Sequence, residues 1–68
     1  MKNEQINQVL LKLNCYIFKF NEATNTIEHN NNGASSIYIY KELIDIIQEI
    51  NTLNISYRVD KLQNIVIA

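Results

Sequence analysis

Between Ser36 and Asn54 the segment SIYIYKELIDIIQEINTLN passes from an alternating apolar run directly into the strongest helical pattern of the chain. A helix starting near Lys41 aligns Leu43, Ile46, Ile47, Ile50 and Leu53 on one stripe, with Ile44 at its margin. Glu42, Asp45, Gln48, Glu49 and Asn51 then face water, and Glu42 and Asp45 fall in the first turn, where they complement the helix dipole. Upstream, Ser36–Tyr40 alternates as a strand, with Ile37 and Ile39 on one face and Tyr38 and Tyr40 on the other. An amphipathic helix and a strand each need an apolar cover, which points a chain of 68 residues toward one mixed, layered domain.

The flanking sequence supplies the other layers. Asn3 is placed to cap a short helix over residues 4 to 13, in which Ile6, Val9, Leu10 and Leu13 recur at i, i+3, i+4 and i+7. Asn14 tolerates the left-handed conformation that ends such a helix, and Cys15 to Phe20 reads as a strand with Tyr16, Phe18 and Phe20 on one face. NEATN (21–25) is turn material, and Thr26 to His29 returns as a second strand. NNNGAS (30–35) is the most loop-like stretch and is expected to be a flexible connector. After Asn54, Ile55 to Asp60 alternates as a strand, DKLQN (60–64) turns, and Ile65, Val66 and Ile67 form a last strand too continuously apolar for a sheet edge.

The expected fold class is therefore α+β: two short helices on one face of a mainly antiparallel sheet of about five strands, in the order α-β-β-β-α-β-β. A shift of 40 residues superimposes Ile6 on Ile46, Leu10 on Ile50, Leu13 on Leu53, Asn14 on Asn54 and Cys15 on Ile55. With a gap of two residues in the second turn, Ile27 falls on Ile65, so an αββ duplication is one reading and chance in an Ile- and Asn-rich chain is the other.

Composition removes several function classes. Six basic residues against seven acidic ones, none clustered, give no electrostatic footprint for nucleic acid or an anionic membrane. No apolar run reaches the roughly 20 residues of a membrane span. One cysteine rules out an internal disulfide, and with no secretory leader in view a cytoplasmic chain is expected. The 11 asparagines and 12 isoleucines resemble the usage of AT-rich bacterial or phage genomes.

Residues able to carry chemistry are sparse. His29 alone cannot supply the three or four ligands of a zinc site, and no metal or cofactor is expected. Cys15 and His29 could approach each other across paired strands, the minimum for a thiolate and its base, but a lone cysteine at a strand start is more often a small buried hydrophobe. Glu42, Asp45 and Glu49 line one helix face, which reads as solvated, and the single Gly33 makes no phosphate-binding loop. No catalytic residues, small-molecule substrate or enzymatic activity are expected.

The aromatics are more informative. If isoleucine and leucine of the helices cover one sheet face, some of Tyr16, Phe18, Phe20, Tyr38, Tyr40 and Tyr57 lie on the other, and such a patch marks a protein interface; the opposing reading makes them core. The functional expectation is a small, non-enzymatic, self-associating protein-binding module, a homodimer or a partner of another protein, that regulates or inhibits by occupying a surface. A second expectation comes from a resemblance: SIYIYKELIDIIQEI is similar to the opening of the ribbon-helix-helix family, in which a short strand pairs with its twin to enter the DNA major groove. That resemblance implies a DNA-binding dimer with Ser36–Tyr40 as the ribbon and residues 55 to 67 as a second helix, although no basic residue lies in Ser36–Tyr40.

Overall fold

The computed structural model describes residues 2–29 and 36–68; the connector expected at 30–35 lies outside the described residues. Along the chain run α1 (Lys2–Lys12), β1 (Phe18–Asn21), β2 (Thr26–His29), α2 (Ser36–Thr52), β3 (Tyr57–Val59) and β4 (Ile65–Ile67). The sheet has four strands in the order β1-β2-β4-β3, all neighbours antiparallel. The α+β class therefore holds, with four strands among the described residues in place of about five.

The missing strand is Ser36–Tyr40, which is the start of α2. Alternating isoleucine and tyrosine favours a strand locally, but Ile39 also lies at i−4 from Leu43 and i−7 from Ile46. Extending the helix backwards buries Ile39 (4% exposed) in the same stripe. Tertiary burial outweighs a β propensity spread over only about 1 kcal/mol. Glu42 and Asp45 consequently sit in the second and third turns rather than at the dipole. The ribbon-helix-helix arrangement is excluded on both counts, since Ser36–Tyr40 is helical and residues 57–67 form a hairpin.

Both helices end in the same way. Asn14 (φ 55°) and Asn54 (φ 58°) adopt the left-handed conformation that asparagine tolerates. The N–H of Cys15 donates to Leu10 O at 3.0 Å and that of Asn14 to Leu11 O at 3.1 Å; Ile55 and Asn54 repeat this pair on Ile50 and Asn51 at 3.2 and 3.1 Å. Each is a Schellman motif that satisfies the last carbonyls and turns the chain toward its hairpin. The first hairpin turn carries a positive φ at Asn25 (51°) and the second at Gln63 (63°). In the second, Asp60 Oδ1 accepts the N–H groups of Leu62 and Asn64, both at 2.9 Å.

Register decides which strand residues meet the helices. Phe18 faces His29 and Phe20 faces Ile27 across β1 and β2; Ile27 faces Ile65, which faces Val59; Ile67 faces Tyr57. These residues share the helix-covered face. Lys19, Asn21, Thr26, Glu28, Arg58 and Val66 make the opposite, largely polar face. Ile6 and Val9 from α1, Ile39, Leu43, Ile46 and Ile50 from α2, and Phe18, Ile27, Ile55, Ile65 and Ile67 are buried. Leu10, Leu13, Cys15, Ile17, Phe20, Ile47 and Tyr57 pack against this cluster from its rim. β4 lies inside the sheet, between β2 and β3, as its unbroken apolar run requires.

Candidate interaction surface

The six aromatics proposed from sequence do not share a surface. Phe18 is core (2% exposed), with its ring edge-on to His29 at 5.2 Å between centroids. Phe20 and Tyr57 are half-buried on the helix-covered face. The three that reach solvent are Tyr16 (87% exposed), Tyr38 (63%) and Tyr40 (56%). Among the described residues the sheet face opposite the helices thus carries no aromatic ring: alternation puts Phe18, Phe20 and Tyr57 on the same face as Ile27, Ile65 and Ile67, so helix packing claims both kinds together.

Two regions of α2 present apolar side chains. Ile37, Tyr40 and Ile44 recur at i, i+3 and i+7 on the flank beside the buried stripe, and the first two are more than half exposed. Tyr38 points to the other flank, one turn before Glu42 on the same helix face. Glu42 reaches the α1–β1 junction: its carboxylate accepts the N–H of Tyr16 at 3.3 Å, of Ile17 at 3.1 and 3.3 Å, and of Phe18 at 3.4 Å. These amides precede or open an edge strand and have no strand beside them, so the carboxylate supplies acceptors that the sheet does not. Tyr16 and Tyr38 are thereby brought to the same junction. Sequence reasoning did not single out Ile37 and Ile44 as surface residues, because a strand at 36–40 sets Ile37 on the same face as Ile39 and the helical pattern places Ile44 only at the margin of its stripe. It also read Glu42 as merely solvated; no local pattern in the sequence reveals a carboxylate contacting amides 24 to 26 positions away.

Cys15 and His29 are held in separate environments. The Cys15 thiol is pushed up to about 11 by burial, with the nearby Glu42 and Asp45 carboxylates adding to the effect. A thiolate at this position is disfavoured, the reverse of an activated nucleophile. His29 Nε2 lies 2.7 Å from Leu62 O, and since a carbonyl only accepts, Nε2 carries the proton. No hydrogen-bond partner reaches His29 Nδ1 among the described residues. Nor does any group of three His, Cys, Asp or Glu converge there in a metal-binding arrangement.

A groove of about 660 Å³ runs between α1 and α2, lined by Gln5, Gln8, Val9, Lys12, Glu49 and Leu53 among others. Lys12 Nζ bridges it to Glu49 Oε1 at 2.9 Å. Six of the eight side chains that line it are amides or carry a charge, with Val9 and Leu53 as the apolar members.

Fold and surface together define a small two-layer α+β protein with an apolar helix flank. No protein-family model matches the chain, and no curated protein or solved structure is significantly similar to it. No helix among the described residues is long and apolar enough to cross a membrane.

Proposed function

We propose that this chain is a small, non-enzymatic, cytoplasmic protein-binding module, encoded by a bacterium, a phage or a mobile element, that self-associates and acts by occupying the surface of a partner protein as a regulator or inhibitor. The observation that carries the reading is the exposed flank of α2, Ile37, Tyr40 and Ile44 in helical register; Tyr38 is exposed on the other flank and Tyr16 at the α1–β1 junction. A contiguous patch of large apolar side chains marks interaction sites on small soluble proteins, and tyrosine is enriched in such sites. The candidate interface accordingly narrows to Tyr16, Tyr38 and Tyr40, joined by Ile37 and Ile44. An αββ duplication is part of the same reading; support comes from the paired Schellman motifs 40 residues apart and from the positive φ at Asn25 and Gln63, 38 apart, the offset left by a two-residue gap.

The test is comparative capture from the native host. The wild-type chain and a Lys19→Ser variant of the polar sheet face should retain the same partner, and a Tyr40→Ser, Ile44→Ser double variant should lose it while keeping its circular dichroism spectrum. A partner that survives the double variant would remove α2 as the interface.

A further inference from the structure

The two edges of the sheet are not equivalent. At the start of β1 the outward-pointing N–H of Phe18 is covered by Glu42 Oε1, and Lys19 sits beside it, both devices that discourage another strand from adding at that end, while Phe20 further along the strand also points outward. In β3 the bonding pattern can be read from its neighbours. Asp60 N–H donates to Asn64 O at 2.9 Å and Ala68 N–H to Ser56 O at 3.0 Å, while Ile67 N–H turns away to Asn25 O, in the turn that leads into β2, at 2.8 Å. Bonded and non-bonded pairs alternate in antiparallel ladders, so Ser56, Arg58 and Asp60 bond to β4, and Tyr57 and Val59 point their N–H and C=O groups outward. The covered edge has its carboxylate from α2; the corresponding position on α1, 40 residues earlier, is Lys2, whose Nζ goes to Ala68 O. Nothing among the described residues caps β3.

We infer that the free edge of β3 pairs with β3 of a second copy of this chain, antiparallel about a twofold axis at Val59, joining two four-stranded sheets into one. Charge selects both the occupant and the register. With the axis at Val59, Arg58 lies opposite the second copy's Asp60, and Asp60 opposite its Arg58, two reciprocal opposite-charge pairs on the polar face. Asp60 retains Oδ2 for this contact, since its turn uses only Oδ1. Sliding the axis by one position to Arg58 would instead set arginine against arginine. On the helix-covered face the axis brings together the two Val59 side chains (42% exposed), with Leu62 (71% exposed) nearby in the following turn. The ribbon is short, so the dimer is weak and concentration-dependent. This assignment rests on the self-association part of the proposed function and leaves the α2 flank free for a different partner.

Sedimentation equilibrium of the full chain up to about 1 mM tests it with three variants. Arg58→Glu, at an exposed position, should weaken dimerisation by about tenfold or more, because two attractive pairs become two repulsive ones. Val59→Pro removes an N–H that the monomer does not use and should abolish the dimer; if its thermal melt shows that it fails to fold, Arg58→Glu carries the decision. Tyr40→Ser should leave the dimer unchanged. A dimer that survives Arg58→Glu but dissociates with Tyr40→Ser overturns the β3 assignment while self-association stands. A wild-type chain that stays monomeric throughout overturns both the β3 assignment and self-association, and leaves the α2 surface to its own test.

Discussion

Three residues show how side chains with ordinary local readings acquire specific work. Gln63 holds a left-handed φ of 63° without the freedom of glycine or the local bonding of asparagine. Gln63→Gly should therefore stabilise the protein by about 0.5–1 kcal/mol, seen as a rise of a few degrees in Tm; a fall would mean that the side chain makes a contact outweighing the backbone cost. Glu42→Gln keeps the shape and removes the charge that holds three amides, so a loss of about 1–2 kcal/mol in denaturant unfolding is expected, with faster hydrogen exchange at Tyr16, Ile17 and Phe18. Cys15 is a proton-linked group whose folded value is raised from 9.0 to about 11. The folded state keeps the proton after the unfolded chain has released it, so this contribution is complete below about pH 9 and is lost as pH rises through 11. A Cys15→Ala variant should lack that part of the alkaline decline. Near neutral pH, a two-unit rise leaves about 100-fold less thiolate, so alkylation of the native protein should be slowed by a similar factor relative to the denatured chain.

At the scale of elements, the test case is the start of α2. A strand would send Ile37 and Ile39 to the same side, whereas the helix buries Ile39 and exposes Ile37. Ile39→Ala should cost about 2–4 kcal/mol and Ile37→Ala less than about 0.5 kcal/mol; equal losses would restore the strand. This is also where the sequence was least legible. Four alternating isoleucines and tyrosines satisfy a period of two, and only Leu43 and Ile46 further on reveal that Ile39 also satisfies 3.6. Longer or punctuated elements were readable: α1 through Ile6, Val9 and Leu10, both helix ends through Asn14 and Asn54, the β1–β2 hairpin through NEATN, and the interior position of β4 through its unbroken Ile-Val-Ile. The candidate surface was half legible. Tyr16, Tyr38 and Tyr40 are exposed as a surface requires, but Phe18, Phe20 and Tyr57 were assigned against the wrong layer, because which sheet face the helices cover depends on strand register and long-range packing.

For the whole molecule, two helix-hairpin halves meet where β2 and β4 pair, with Ile27 and Ile65 fully buried on either side of that seam. Neither half covers its own strands completely, so the core is shared and the sheet's two outer strands become the places where the molecule ends. One of those edges is capped by Glu42 at Phe18 and the other carries no cap at Tyr57 and Val59 among the described residues, which gives the two ends of the sheet a different character. The buried Ile39 has a consequence for recognition as well. It pins the same turn of α2 that displays Ile37, Tyr38 and Tyr40, so these side chains project from a backbone that is already ordered before any encounter. A ligand docking there has little chain entropy left to remove. Its binding should resemble contact between preformed bodies, with a negative heat capacity change set by the apolar area covered and no component from folding.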